Sequence, residues 1–258
     1  MIHWERYRTI RFEKHDRILV ATLNRPETLN AVTPEMHGEL VEMFSDFDQD
    51  ASSDVLVLTG AGRGFCSGAD LKGGVSSVDP TETAERTFRE ARRLISSILE
   101  TDKPMIAAVN GPAAGLGVTL ALFCDIVIAS ERARLGDTHV KVGLVAGDGG
   151  AVIWPLLVGV NKAKELLMTG EMLDAQEALR IHLVNHVVPH EDLIPTALEK
   201  ARHLASGNTF AIRATKRAVN VYLKWMAAQV LDLSLSLERL SFERLFRPEA
   251  SKQGPLSS

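Results

Sequence analysis

Residues 54–72 read DVLVLTGAGRGFCSGADLK, and residues 103–130 read KPMIAAVNGPAAGLGVTLALFCDIVIAS. In each, a short uncharged run, VLVL or MIAAV, passes directly into a loop crowded with glycine. Apolar runs of that length, without alternation, predict strands buried on both faces, as in a parallel sheet. After the second loop GLGVTLALFC predicts a short buried helix, and DIVIAS predicts a further strand. Strand, loop, helix and strand in that order place the front of the chain in the α/β class.

Working outward, RTIRFEKH (8–15) and RILVATL (17–23) predict two strands, and NRPETLNAVTP (24–34) carries turn chemistry. Thr33 caps a helix that opens at Pro34, with Met36, Leu40, Met43, Phe44 and Phe47 at helical spacing. A mobile surface stretch is expected over 76–83. It is followed by a helix over 84–101 with Phe88, Ala91, Leu94, Ile95 and Ile98 on one face. Residues 133–150 read as a loop, with glycines at 136, 143, 147, 149 and 150. Helices are expected at 151–158, 161–169, 174–181, 191–206 and 209–245, interrupted by the strand VNHVV (184–188). The layout is an α/β core over 1–200 and a helical region over 201–258.

The chain has 258 residues, 45% of them apolar and 24% charged. That is an ordinary globular composition and excludes disorder, collagen and a disulfide scaffold. A net charge of −4 supplies no basic field for nucleic acid. Only Cys66 and Cys124 are present, as expected of reduced thiols in the cytoplasm. The first seventeen residues hold no apolar core of a signal peptide. The most apolar stretch, 104–130, is broken by Asn110, Pro112 and Asp125, so no membrane span is expected.

The glycine loops fail as nucleotide loops. Gly60 and Gly62 each lack the third glycine of Gly-x-Gly-x-x-Gly, where Phe65 and Ser67 stand. The loop from Gly111 has short-chain dehydrogenase spacing, but neither Tyr7 nor Tyr222 has a lysine four residues on. A different chemistry fits both loops. N–H groups at the start of a helix have no intrahelical partner. Two of them, one from each loop, can converge on one oxygen and stabilise an enolate or tetrahedral oxyanion.

Five segments run in the order of a known family: NRPETLNAVTPEM, VLVLTGAGRGFCSGADLK, KPMIAAVNGPAAGLGVTLALFCDIVIAS, RLGDTHVKVGLVAGDGG and LLMTGEMLDAQEALRIHLVNHVVP. Over about residues 20–220 the chain resembles the crotonase superfamily, the enoyl-CoA hydratase/isomerase family. The resemblance implies a spiral of ββα units with a helical C-terminal region, assembled as a homotrimer or homohexamer. It implies an acyl-CoA substrate and no cofactor other than the coenzyme A of that substrate. By motif, the backbone N–H groups of Ser67 and Leu116 form the oxyanion hole. Arg25, Gly68, Ala69, Asp70, Leu71 and Lys72 lie on the substrate side. There Arg25 and Lys72 either meet phosphates or are solvated charges, and Asp70 either orients its loop or is solvated.

Two positions depart from the family's hydratases. Thr119 stands at the first hydratase glutamate and His139 at the second. Asp148 follows His139 by nine residues in the same glycine-rich loop. A histidine of ordinary pKa can act as a general base near neutral pH, and a carboxylate beside it can orient and charge-stabilise the ring. The pair resembles the His and Asp of the superfamily's β-diketone hydrolase branch, as does the Trp154-Pro155 pair. Asp148 has an alternative role as cap of the helix near Gly150. Cys66 has no base partner in its motif. His182, His186 and His190 fall in a strand ending at Pro189 and share no helix face, so no metal is expected. The expected activity is acyl-CoA processing with His139 and Asp148 in place of two glutamates, as a hydrolase or an atypical hydratase or isomerase. The alternatives are β-diketone C–C hydrolysis and a non-catalytic acyl-CoA-binding subunit.

Overall fold

The computed structural model describes residues 2–70 and 80–246. Leu71, Lys72 and residues 76–79 of the expected surface stretch lie outside the described residues.

Two strands open the chain, β1 (Ile10–His15) and β2 (Ile18–Leu23), followed by helix α1 (Pro34–Gln49). The Thr33 hydroxyl caps α1 by accepting the Met36 N–H at 3.2 Å, and Met36, Leu40, Met43, Phe44 and Phe47 are all buried. Next come β3 (Val55–Gly60), α2 (Pro80–Glu100), β4 (Met105–Val109), β5 (Ala113–Ala114), α3 (Leu116–Leu122), β6 (Ile126–Ser130) and β7 (Arg134–Gly136). The back of the chain holds α4 (Gly150–Val158), α5 (Val160–Thr169), β8 (Leu173–Asp174), α6 (Ala175–Arg180), β9 (His186–Val188), α7 (Leu193–Ala205) and α8 (Thr209–Phe246).

Among the described residues, one sheet runs in the order β1-β2-β3-β4-β6-β9, antiparallel between β1 and β2 and parallel elsewhere. Its apolar runs are buried on both faces. Leu19, Ala21, Leu56, Leu58, Met105 and Ala107 join the core with α1 and α2. The alternate residues Ile18, Val20, Val55, Val57, Ile106 and Ala108 pack with Leu193, Ala197 and Ala201 of α7. Residue 200, the expected end of the core, therefore lies inside a helix that covers the sheet. A second, small sheet has the order β5-β7-β8. This is the α/β architecture with a helical C-terminal region that the resemblance implies.

Two sequence expectations change. Residues 133–150 are not all loop: β7 pairs with β5 and β8, and His139–Val142 forms a 3-10 turn. A three-residue strand is too short to leave a periodic signal. Helix α2 opens at Pro80 rather than 84, so residues 80–83 are helical.

The two glycine loops are bonded to each other. Phe65 and Cys66 N–H donate to the Pro112 carbonyl at 3.0 and 3.1 Å, and Ala114 N–H donates to the Cys66 carbonyl at 2.9 Å. Gly117 makes this possible, since any Cβ there would collide with the Cys66 carbonyl. The start of helix α8 is fastened at the opposite end of the sheet, beside the residues that lead into β3, β4 and β6. Lys216 bonds the Lys103 carbonyl and Asp125, both at 2.8 Å, and Arg213 meets Asp54 at 2.7 Å.

Candidate active site

Asn30 fixes the first glycine loop: its Nδ2 donates to the carbonyls of Ala61, Gly64 and Phe65 at 2.9–3.1 Å. The Ser67 N–H donates to the Leu29 carbonyl at 3.0 Å, and its hydroxyl donates to the Thr28 carbonyl at 3.1 Å. The Ser67 amide is thus committed, and it is not the free donor the motif suggested. The register shows which amide is turned the other way. Val32 N–H donates to the Gly68 carbonyl at 2.8 Å, and Asp70 N–H donates to the Val32 carbonyl at 2.9 Å. Residues 68 and 70 therefore face Val32 across a parallel bridge. Alternation along an extended chain turns the Ala69 N–H to the opposite side. Gly68, at φ 88°, brings this peptide against α3: a Cβ on it would lie 3.6 Å from the Leu116 nitrogen. Leu116 is the first residue of α3, where the N–H has no intrahelical acceptor.

Beside these amides stands a buried acid–base array. His139 Nδ1 lies 2.6 Å from Asp137 Oδ1, and His139 Nε2 lies 3.4 Å from Asp148 Oδ2. The Thr119 hydroxyl donates to Asp148 Oδ1 at 3.3 Å. A Cβ on Gly115 would sit 3.4 Å from His139 Cε1, so the ring abuts the start of α3. Asp148 does not cap α4, whose N-cap is Gly149 without a side-chain bond. The carboxylate that orients the ring is Asp137, on Nδ1. Its second oxygen lies against Gly150, the first residue of α4, where the helix end favours negative charge.

Burial lowers the His139 pKa, but the charge of Asp148 and the hydrogen bond to Asp137 outweigh it and hold it well above 6.5. That direction works against a neutral ring acting as base at its ordinary pKa. Two flanking carboxylates favour the protonated form of the ring. Asp137, His139 and Asp148 also offer metal-ligating atoms within 4.8 Å of one another, where a cation would compete with the ring proton that the two carboxylates favour. The spaced histidines form no such group among the described residues, and His190 Nδ1 bonds Ser130 Oγ at 3.0 Å. Burial pushes the Cys66 thiol up to about 12, so it is no thiolate nucleophile.

All of this opens on a cavity of about 230 Å³, lined by the start of α1, residues 67–70, Gly115, Leu116, His139, Asp148 and α8. Glu238 and His37 are among the lining residues that the sequence reading did not single out. Glu238 is an acid in the apolar run LSLSLERLSF of α8. Burial first, and then the charge of Asp148, push it up to about 8 against the opposing charge of His139. His37, on α1, is lowered by burial and stays neutral. A charged residue inside an apolar helical run was the available signal for Glu238. For Asp137 it was an aspartate two residues before the histidine. On the outer side, Arg25 Nη1 donates to the Ala31 carbonyl at 2.6 Å and to Asp70 Oδ2 at 3.1 Å. Neither is a merely solvated charge.

The fold and the site define a class, in which glycine-loop amides lie beside a buried histidine–carboxylate cluster. The family model for enoyl-CoA hydratase/isomerase matches residues 13–257. The 1,2-epoxyphenylacetyl-CoA isomerase of Escherichia coli K12 is 40% identical over 88% of this chain and 86% of its own. The (E)-benzylidenesuccinyl-CoA hydratase of Thauera aromatica is 39% identical, over 81% of each chain. The crystal structure of an enoyl-CoA hydratase/isomerase from Mycobacterium paratuberculosis superposes with a TM-score of 0.86 at 35% identity, covering 95% of this chain and 98% of that one. The chain belongs to the enoyl-CoA hydratase/isomerase family of the crotonase superfamily, a family of acyl-CoA-processing enzymes. Among the described residues no helix is long and apolar enough to cross a membrane.

Proposed function

We propose that this enzyme converts an acyl-CoA through its thioester enolate. The Ala69 and Leu116 N–H groups hold the thioester oxygen, and Asp148 takes the proton. The observation that carries this reading is the buried Asp137–His139–Asp148 array set against the start of α3. Negative charge developing on the oxygen is met by two fixed dipoles, which need no reorganisation. Asp148 is held by the Thr119 hydroxyl and by the charged His139 ring. With Thr119 and His139 at the hydratase glutamate positions, the two-glutamate addition of water is not the route. One base beside an enolate suits isomerisation, and the CoA thioesters named in the E. coli and Thauera relatives support the substrate class. The coenzyme A of the substrate is the only cofactor in this reading, and no metal takes part.

A second reading, hydrolysis of a C–C bond in a β-diketone, is favoured by the Asp137–His139–Asp148 relay, which could orient and activate water. A panel of saturated and unsaturated acyl-CoAs and cyclic β-diketones, with products identified by mass spectrometry, separates the two. Isomerised acyl-CoA supports the first, and ring-opened keto acid supports the second. Stoichiometric binding of acyl-CoA without any product would make the chain a non-catalytic subunit.

The two free cysteines fit a reducing compartment, so the cytoplasm is the proposed location. Assembly follows from exposed apolar residues on neighbouring elements: Val140, Val142, Leu156, Leu157, Val160 and Met168. Single exposed apolar residues are ordinary, but a set spread over the 3-10 turn, α4 and α5 supports the reading of an interface between copies. Light scattering at micromolar concentration is expected to give three or six times 28.2 kDa. A mass of one chain would contradict a trimer or hexamer.

A further inference from the structure

We propose that Glu238 of α8 is a second proton-transfer residue, which delivers a proton to carbon from a neutral carboxylic acid while Asp148 removes one. The proposal rests on the enolate reading above and extends it to unsaturated acyl groups.

Ser234, Glu238 and Ser241 are spaced four and three residues apart, so they share one face of α8. Both serines grip the loop that carries Asp148. Ser234 Oγ donates to the Gly147 carbonyl at 2.9 Å, and Val145 N–H donates to Ser241 Oγ at 3.2 Å. Glu238 lies between these clamps, with Oε2 only 2.5 Å from where a Cβ on Gly147 would stand. A glycine at 147 is what lets the carboxyl settle on the residue immediately before Asp148. Glu238 and Asp148 then line the same cavity.

The groups around Glu238 decide which acid holds the proton. Asp148, Asp137 and His139 face it from the loop. His37 of α1 and Glu90 of α2 line the same cavity. On its own helix Arg239 is directed to Glu85 and Glu243, at 3.7 and 3.6 Å. Two carboxyls over one low-dielectric cavity do not both ionise cheaply. Burial and the charge of Asp148 push Glu238 up to about 8, leaving it a neutral acid at pH 7.

The step balances. The Asp148 carboxylate takes the Cα proton, and the electrons of the broken C–H bond move into a dienolate whose oxygen sits between the Ala69 and Leu116 amides. The dienolate γ-carbon then forms a C–H bond with the Glu238 proton, leaving a carboxylate. Asp148, now protonated, returns its proton to Glu238 through the cavity, and the double bond has shifted by one position.

The test separates the two half-reactions. In D₂O with an unsaturated acyl-CoA, loss of the Cα proton is read as deuterium at Cα, and transfer to γ is read as isomer formed. Glu238→Gln is expected to slow isomer formation by about 10²-fold or more while Cα exchange stays within about threefold. It should also abolish the alkaline limb near pH 8 that is expected of the wild type. Glu238→Asp, which keeps an acid, should recover part of the isomerisation. Isomerisation by Glu238→Gln within threefold of wild type would overturn the proposal. Equal loss of exchange and isomerisation in a folded Glu238→Gln protein would also overturn it, since Glu238 would then only position Asp148. If the wild type exchanges no Cα proton in any acyl-CoA, the enolate reading fails first and takes the role of Glu238 with it.

Discussion

Asp148→Asn is expected to lower kcat by about 10²–10⁴-fold with KM little changed, because the carboxylate acts in the transition state and not in binding. The substitution keeps the shape and an acceptor for Thr119, and it removes the proton acceptor. Steady-state kinetics with the substrate found in the acyl-CoA panel measures it, and wild-type kcat would remove Asp148 from the chemistry. His139→Gln, by contrast, should affect stability as well as rate. Removing the ring leaves Asp137 and Asp148 buried without their shared cation, and breaking a buried charge pair costs about 3–5 kcal/mol. The ring's pKa is raised on folding, so its stabilisation is fully present below the unfolded value of about 6.5 and is lost as pH rises through the folded value. The fall in Tm of His139→Gln should therefore be largest near pH 6 and shrink at alkaline pH. A fall in Tm that grows with pH would contradict the charged ring.

Gly68→Ala carries the second large effect. At φ 88° an L-residue is strained, and the new Cβ would lie 2.8 Å from the Ala114 carbonyl oxygen. Backbone meets backbone there, so the Gly68–Ala69 peptide must move. The Ala69 N–H moves with it, and loss of one oxyanion donor costs about 10²–10³-fold in kcat. Ser67→Ala leaves the backbone intact and should change kcat by no more than about threefold, since it removes only the hydroxyl bond to Thr28. The opposite ranking of these two variants would count against the Gly68–Ala69 peptide as the donor.

Much of the site was legible in the sequence because motif and geometry coincide there. The Thr33 cap, the buried strands around both glycine loops, Leu116 at the head of a helix and His139 beside Asp148 all follow from local residue order. Three features depended on tertiary contacts. The glycine motif located the first loop but not the free amide, because that is decided by the pairing of residues 68 and 70 with Val32. The spacing of His139 and Asp148 suggested a carboxylate orienting the ring. In the structure Asp137 does this on Nδ1, and Asp148 takes the other nitrogen. Glu238 is ninety residues from Asp148 in sequence and reaches it only because Ser234 and Ser241 dock α8 on the 145–148 loop. Long-range docking of that kind leaves no periodic trace in either segment.

The central claim is that the amides of residues 69 and 116 hold a thioester enolate formed by Asp148. Mass spectrometry of a saturated acyl-CoA incubated with the protein in D₂O tests it most directly, since no further chemistry can follow. The account predicts deuterium at Cα with the wild-type protein and at least about 10²-fold slower labelling with both Asp148→Asn and Gly68→Ala. Labelling by Asp148→Asn at the wild-type rate, or none by the wild type, would contradict it.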